Sequence, residues 1–214
     1  MTDEVLAAGL AALGQELDPA RQRQLLAYRD ELARWGRVHN LTAVLEPERM
    51  VPTHLLDSLV LLPLLRGTTL ADVGSGGGLP GLPLAIAAPG LDVTLIEPRT
   101  KRAAFLAHVA RHLGLANVKV ERCRAEDLPA GDGFDTVVTR AFGRLAAFAA
   151  AAGGLARPGG CLLAAKGRDP AAEIAELDPE WAVEVTRLSV PGIEGTRHAV
   201  RLQRDGERWR ASSR

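Results

Sequence analysis

The stretch "DVGSGGGLPG", which runs from Asp72 to Gly81, decides the predicted fold and contains five glycines in ten residues. The apolar run "TLADV" (Thr69–Val73) leads into it and predicts a short buried strand, whereas "LPGLPLAIAA" (Leu79–Ala88) predicts a helix. A glycine-rich turn between a strand and a helix lets the backbone approach a ligand closely. Such turns hold nucleotides and nucleotide-like cofactors, so the stretch also raises the question of which cofactor it binds.

Strands and helices alternate along the chain after this turn. The predicted elements are strands at Asp92–Glu97, Val118–Arg122, Phe134–Arg140 and Gly160–Lys166, helices at Thr100–Gly114, Arg144–Gly153 and Pro170–Leu177, and two late strand-like runs at Ala182–Leu188 and Arg197–Arg204. Because parallel strands need helical crossovers of this length, the alternation predicts an α/β fold. We expect a mostly parallel, Rossmann-like sheet with helices on both faces.

The first sixty-odd residues have a helical texture instead. Apolar residues within Val5–Leu17 follow helical spacing, and Asp18-Pro19 supplies a cap followed by proline at the first helical position. A second apolar stripe occupies Leu25–Trp35, the segment Gly36–Met50 breaks the pattern and is predicted as a loop, and a further helix is predicted over Pro52–Leu65. We therefore expect a helical N-terminal cap over residues 1–66, packed as one unit with an α/β domain over residues 67–214. The polar tail from Asp205 onward is predicted to be a solvated end.

The composition excludes several classes of protein. Lysine plus arginine and aspartate plus glutamate number 26 each, so the formal net charge is zero, which argues against coating nucleic acid by bulk charge. The apolar segment Leu55–Leu65 is interrupted by Asp57, Ser58 and Pro63, and the acidic start lacks the basic segment of a secretory signal. We therefore expect a cytoplasmic protein.

The two cysteines, Cys123 and Cys161, lie far apart in apolar runs. Their spacing gives neither a metal-ligand motif nor a disulfide framework. We expect both to be buried strand residues, and we expect no metal site.

Two glycine motifs compete for the quoted stretch. The dinucleotide fingerprint G-x-G-x-x-G fits Gly76, Gly78 and Gly81, but its first glycine should directly follow the strand, and Gly74 holds that place. The alternative pattern, acidic-x-G-x-G-x-G, starts in register at Asp72 and is typical of S-adenosylmethionine-dependent methyltransferases. That cofactor has no phosphate but carries an ammonium group, which suits an acid beside the turn.

Later positions support this interpretation. Glu97 ends the second strand and suits a ribose in either cofactor, so it does not discriminate between them. Glu126 or Asp127, after the third strand, is placed to reach an adenine. "TRAFG" (Thr139–Gly143) follows the fourth strand, at the edge where open α/β sheets bind ligands. It lacks the Asn/Asp-Pro-Pro-aromatic loop of exocyclic-amine methylation and the cysteine that cytosine carbon methylation needs.

With these motifs, the chain resembles the bacterial small-subunit ribosomal RNA guanine-N7 methyltransferases, first called glucose-inhibited division protein B. The resemblance covers about Arg29–Arg204, and "GLPGLP" (Gly78–Pro83) is more specific than the glycines alone. The other matching stretches are "HNLTAV" (His39–Val44), "HLLDS" (His54–Ser58), "KRAAFL" (Lys101–Leu106), "RAE" (Arg124–Glu126), "TRAF" (Thr139–Phe142), "KG" (Lys166-Gly167) and "RHAV" (Arg197–Val200).

The resemblance implies a class I methyltransferase domain that uses S-adenosylmethionine to methylate N7 of one guanine in 16S ribosomal RNA. The expected partner is that RNA or a small-subunit particle. We expect the protein to be a monomer and to have no membrane partner. The implied or motif-derived cofactor-binding residues are Asp72, Gly74, Gly76, Gly78, Leu79, Glu97, Ala125, Glu126 and Arg140. The implied candidates for RNA contact or base positioning are Asn40, His54, Arg124, Lys166 and Arg197.

Guanine N7 has a free in-plane lone pair, so its methylation requires no general base and depends mainly on alignment. Arg140 is the expected positioning residue, and we expect its charge to hold the cofactor or a guanine oxygen, away from N7. Three alternatives stay open at this point: methylation of a small molecule or protein, an NAD(P)-dependent oxidoreductase that uses Gly76, Gly78 and Gly81, and a binding protein with this fold but no activity.

Overall fold

A computed structural model describes residues 2–129 and 131–204 and contains one seven-stranded sheet. The strand order is β3-β2-β1-β4-β5-β7-β6. Strands β1 to β5 are parallel, and β7 pairs antiparallel with both β5 and β6. The strands are β1 (Thr69–Val73), β2 (Asp92–Ile96), β3 (Val118–Glu121), β4 (Phe134–Thr139), β5 (Ala156–Lys166), β6 (Trp181–Leu188) and β7 (Arg197–Arg204). The predicted mostly parallel α/β sheet is confirmed, and the predicted solvated tail lies outside the described residues.

Helices cover both faces of this sheet. They are α1 (Thr2–Ala12), α2 (Pro19–His39), α3 (Pro47–Met50), α4 (Asp57–Leu59), α5 (Gly81–Ala87), α6 (Thr100–His112), α7 (Leu145–Ala152) and α8 (Ala171–Ile174). A π-helical segment, Val51–Leu56, joins α3 to α4, and a 3₁₀ turn follows at Leu62–Leu64. None of the described helices is both long and apolar enough to cross a membrane.

The loop predicted over Gly36–Met50 is wrong at both ends, because α2 extends to His39 and α3 occupies Pro47–Met50. Helix α2 continues to His39, because Gly36 is a packing position there and not a helix breaker. A Cβ at Gly36 would lie 2.8 Å from Leu45 Cδ2. The helix ends at Asn40, which adopts the left-handed conformation (φ 50°).

The predicted start of α2 is confirmed, whereas only one of the two cysteines is buried in a strand as expected. The Asp18 side chain accepts a hydrogen bond from the Arg21 backbone N–H, so the predicted N-cap is confirmed. Cys161 is buried in β5 as predicted, but Cys123 is only half-buried and lies in the loop after β3. The strand predicted over Val118–Arg122 ends at Glu121, so Cys123 lies two residues beyond β3.

The helical cap and the sheet share one hydrophobic core. Successive strand residues point to opposite faces, so Leu70 and Val138 pack on the face that carries the cap, α5 and α6, whereas Ala71 and Val137 pack toward α7. Apolar residues of α1, α2, the π-helical segment and α4 belong to the same buried cluster as Leu70. The hydrophobic core is therefore continuous across the predicted boundary between residues 1–66 and 67–214. That boundary stays a prediction.

Asp135 links β4 to the start of β1 through hydrogen bonds at the amino-terminal ends of these strands, opposite the glycine-rich turn. Its carboxylate Oδ2 accepts hydrogen bonds from Thr68 N, Thr69 N and Thr69 Oγ1 at 2.9–3.0 Å, and Arg157 forms an ion pair with it. Although burial acts to raise the pKa of this carboxyl, the hydrogen bonds and the arginine hold it below its usual range. The ionised form is thus built into the fold.

We predict that Asp135→Asn lowers the free energy of unfolding by about 2 kcal/mol at pH 7, because buried amide donors lose a charged acceptor. Since the folded-state pKa is lowered, the advantage of the parent chain should be present above the unfolded pKa and lost as the pH falls through the folded one. Urea unfolding at several pH values measures this. The matched control is Asp132→Asn, an exposed acid in the preceding loop. Equal destabilisation by the two substitutions would contradict the assigned role.

Candidate cofactor and substrate clefts

The turn after β1 is closed into a ring by a buried carboxylate. Asp72 is fully buried, and its Oδ2 accepts a hydrogen bond of 3.0 Å from the N–H of Gly81 at the start of α5. A Cβ at Gly81 would lie 2.4 Å from Leu95 Cδ2 and 2.7 Å from Asp72 Oδ2, so only glycine allows this approach. Burial raises the pKa of Asp72 to about 7 against the opposing effects of this hydrogen bond and of the Arg140 charge.

Glu97, at the end of β2, binds the same turn from the neighbouring strand. Its Oε2 accepts a hydrogen bond from Gly76 N and its Oε1 from Arg99 N, both at 2.9 Å. Gly74 leaves β1 with φ +70°, a conformation that favours glycine, and its N–H donates to Ile96 O. The turn is thus fixed between the carboxyl ends of two adjacent parallel strands.

The cap fixes the third side of the turn. The hydroxyl of Tyr28, a fully buried residue of α2, donates a hydrogen bond of 2.7 Å to the carbonyl oxygen of Gly77. A Cβ at Gly77 would lie 2.9 Å from Leu32 Cδ1, so the same helix also packs closely against the turn. The glycine turn is therefore held by elements from both parts of the chain.

A cleft of about 460 Å³ opens beside this turn, at the carboxyl ends of β1 to β4. Four predicted cofactor-binding residues line it: Gly74, Glu97, Ala125 and Glu126. The predicted RNA residue Arg124 lies on its wall, together with Arg99, Arg102 and Phe142. We call it the first cleft.

The remaining predicted cofactor residues lie behind or beside the first cleft. Asp72 is buried under the turn, and Gly76 bonds Glu97. Gly78 N donates to Ser75 O within the turn, and Leu79, 7% exposed, belongs to the core. These residues shape the backbone that the cofactor would contact.

A second cleft of about 240 Å³ contains most of the other predicted residues. Its lining includes Arg140, Lys166 and Arg197, together with Asp57 from the start of α4. Asp57 Oδ2 lies 3.4 Å from Arg140 Nη1, and Asp57 Oδ1 lies 3.2 Å from Arg197 Nε. Lys166 forms an ion pair of 2.7 Å with Glu173. Each of these three cations therefore contacts a carboxylate, and Arg140 and Arg197 share the one carboxylate of Asp57.

The loop after β4 separates the two clefts. Ala141 and Phe142 line the first cleft, while the adjacent Arg140 lines the second. Arg140 Nη1 also donates a 3.1 Å hydrogen bond to the carbonyl oxygen of Thr53 in the π-helical segment. Residues of one loop thus face both clefts.

Two predicted RNA residues have local structural partners. His54 is buried, and its Nε2 lies 2.7 Å from Thr42 Oγ1, which ties the π-helical segment to the loop after α2. Burial, with a contribution from the Arg140 charge, holds the pKa of His54 below its usual range. Asn40 is exposed and ends α2. The predicted RNA contacts of both residues stay predictions.

Sequence reasoning missed several residues that build these clefts. In the sequence Asp57 only interrupts an apolar segment, yet in the structure its partners are two guanidinium groups, 83 and 140 residues away in sequence. Tyr28 gave no sequence signal beyond its place in an apolar stripe. Phe142 lies within the quoted "TRAF" motif, which was the available signal, and it packs beside Phe148 with ring centroids 5.8 Å apart. No group of three His, Cys, Asp or Glu residues in the described ranges could hold a metal ion.

Comparisons with solved structures identify the architecture. A structure described as a SAM dependent methyltransferase from Aquifex aeolicus matches with a TM-score of 0.54 at 19% identity, covering 73% of this chain and 93% of that one. An rRNA methylase from Streptococcus thermophilus matches with a TM-score of 0.50 at 16% identity, covering 72% of this chain and 96% of that one. At this identity the likeness shows the fold, which is that of class I methyltransferases.

Sequence comparisons are closer. The Ribosomal RNA small subunit methyltransferase G of Stenotrophomonas maltophilia (strain K279a) is 50% identical over 196 residues, which cover 91% of this chain and 92% of that protein. The protein of the same name from Nitrosospira multiformis is 45% identical over 210 residues, covering 94% and 97%. The profile of the GidB family, described as rRNA small subunit methyltransferase G, matches residues 21–200. The chain therefore belongs to the GidB family of small-subunit ribosomal RNA methyltransferases.

Proposed function

We propose that this chain transfers the methyl group of S-adenosylmethionine to N7 of one guanine in 16S ribosomal RNA. The observation that carries the proposal, within this family, is the pair of adjacent clefts that share the loop after β4. A base that enters the second cleft would lie next to a cofactor held in the first. Ligand binding at this edge is the general behaviour of open α/β sheets.

The first cleft and the glycine turn beside it fit the cofactor chemically. Asp72 Oδ1 is buried and has no hydrogen-bond partner among the described residues, so a cationic ammonium group nearby would supply the missing favourable interaction. Glu97 would receive the ribose, and Ala125 and Glu126 the adenine. When bound, the cofactor supplies an electrophilic methyl group on a sulfonium centre.

The second cleft would position the base without removing a proton. Guanine N7 carries a lone pair and no proton, so alignment is the main requirement. Arg140 is a suitable positioning residue because Asp57, which it shares with Arg197, offsets part of its charge, and an unpaired cation would oppose the positive charge that develops on the methylated base. The carboxylates that line this cleft or contact its lining, Asp57 and Glu173, both pair with cations.

The target base must leave any stack of neighbouring bases before it can enter the second cleft. We propose that a structured small-subunit particle presents this base better than unfolded RNA does, and that a monomer in the cytoplasm acts on it. Asn40, Arg124, Lys166 and Arg197 remain the proposed RNA-contacting residues, and His54 is proposed to act through Thr42.

The direct test gives the purified chain labelled S-adenosylmethionine and small ribosomal subunits that lack modification. We expect one N7-methylguanosine in the digested 16S RNA by mass spectrometry, and lower activity on unfolded RNA fragments. Cofactor binding without label in RNA would redirect the search to small-molecule or protein acceptors. Binding of NAD in place of S-adenosylmethionine would overturn the assignment of the first cleft.

We predict that S-adenosylmethionine binds about fivefold to tenfold more weakly at pH 6 than at pH 7.5, because Asp72, with a pKa near 7, becomes protonated and loses its attraction for the ammonium group. Calorimetry at both pH values is done on the parent chain and on Asp72→Asn. Titration of the ligand affects both proteins equally, so the difference between them reports the titration of Asp72. The parent should lose affinity relative to the variant as the pH falls.

We predict that the same substitution, Asp72→Asn, has the opposite effect on the free energy of unfolding. A raised carboxyl pKa contributes stability that is fully present below the unfolded value of 3.8 and is lost as the pH rises through about 7. Asp72→Asn should therefore gain in free energy of unfolding relative to the parent above pH 7 while it binds the cofactor more weakly. A parallel loss of both properties would contradict the assigned role.

We predict that Asp57→Asn lowers kcat on small subunits by about 10–100-fold, since Arg140 and Arg197 lose the charge that balances and orients them. Cofactor affinity, measured without RNA, should stay within about twofold of the parent, because Asp57 does not line the first cleft. The control is Glu194→Gln, an exposed acid in the β6–β7 loop. Equal activities of the two variants would refute this assignment.

A further inference from the structure

The two clefts differ in how their cations are balanced. Arg140, Lys166 and Arg197 in the second cleft each pair with a carboxylate. By contrast, the side chains of Arg99, Arg102 and Arg124, which line the first cleft, have no ion pair or hydrogen bond with any described residue. We call these three arginines the basic rim. None of these three positive charges therefore has a direct partner among the described residues, although the carboxylates of Glu97 and Glu126 line the same cleft.

The two acids that line the first cleft form no ion pair with the basic rim. Both carboxylate oxygens of Glu97 accept hydrogen bonds from backbone N–H groups, and Glu97 is 3% exposed. Glu126 is the exposed acid of the first cleft and forms no ion pair with a described residue. Arg122 adds a further cation beside the rim, where its Nη1 donates to Thr100 Oγ1 at 3.2 Å.

The charges of the basic rim also oppose the local backbone. Arg99 is the N-cap of the 13-residue helix α6, Lys101 and Arg102 lie in its first turn, and that turn contains no acid. Cations at a helix N-terminus add to the positive end of the helix dipole and destabilise the helix. The arrangement is therefore unfavourable for the isolated fold and is relieved when an anion approaches.

The cofactor is the wrong ligand for such a surface. S-adenosylmethionine carries one carboxylate but two cationic groups, the ammonium and the sulfonium, so its net charge has the same sign as the rim. An RNA strand carries one negative charge per phosphate and extends beyond the cleft. The unpaired arginines thus match the charge of the second substrate.

We propose that the basic rim binds the phosphate backbone of the RNA strand next to the target guanine, with Arg99 and Arg102 as phosphate-contacting residues in addition to the predicted Arg124. The proposal rests on the proposed function, since it assigns the RNA strand of that reaction to one wall of the first cleft. It divides the work between the clefts: the unpaired cations hold the strand, and the paired cations of the second cleft orient the base.

The test compares the double variant Arg99→Gln/Arg102→Gln with a charge-matched control, Arg23→Gln/Arg111→Gln. Arg23 on α2 and Arg111 in the last turn of α6 are exposed and have no ion pair with a described residue. Binding of a labelled single-stranded oligoribonucleotide is measured by fluorescence anisotropy at several KCl concentrations. Cofactor affinity is measured separately by calorimetry without RNA.

We expect the rim variant to bind the oligoribonucleotide about 10–30-fold more weakly at 0.1 M salt, with the slope of log K against log salt reduced by about 1.4 for two lost phosphate contacts. Its affinity for S-adenosylmethionine should be unchanged or tighter, because like charge has been removed. Its Tm should equal or exceed that of the parent. The control variant should keep the slope and affinity of the parent.

Two results would overturn the proposal. An unchanged salt slope in the rim variant would show that these arginines do not contact phosphate. Weaker S-adenosylmethionine binding with unchanged RNA binding would assign them to the cofactor. Neither result depends on N7-methylguanosine formation, so a failure of the proposed reaction is distinguishable from a failure of this inference.

Discussion

The structure depends on one hydrogen bond between a buried carboxylate and the first turn of a helix. Asp72, the penultimate residue of β1, accepts a hydrogen bond from Gly81 N nine residues later, and this bond closes the turn between them into a ring. That closure is possible only because Gly81 has no side chain to collide with Leu95 and with the carboxylate itself. Glu97 accepts a hydrogen bond from this turn, and the loop after β4 lines the cleft beside it.

The general architecture could be predicted from the sequence because its signals are local. The alternation of apolar runs and helical stretches predicted the parallel sheet, and Asp18 followed by Pro19 predicted the start of α2. The end of α2 was mispredicted because Gly36 was interpreted by its propensity, whereas its role is to admit Leu45. The π-helical segment Val51–Leu56 has no comparable sequence signature.

The site could be predicted only in part, for the same physical reason. Glycines and acids at strand ends are recognisable because the sheet brings those ends to one edge. Pairing is a tertiary property: Asp57 meets Arg140 and Arg197 only after β4 and β7 have taken their places in the sheet. The sequence shows a chain without net charge, whereas the structure shows that the cations of one cleft form ion pairs and the arginines on the wall of the other have no direct partner among the described residues.

The hydrogen bond from Tyr28 to Gly77 has a consequence for how this chain can vary. The carbonyl of Gly77 lies under α2, so a fluctuation that lifts α2 also breaks this hydrogen bond to the glycine turn. Recombination between relatives could therefore not exchange the N-terminal helices alone without matching this contact.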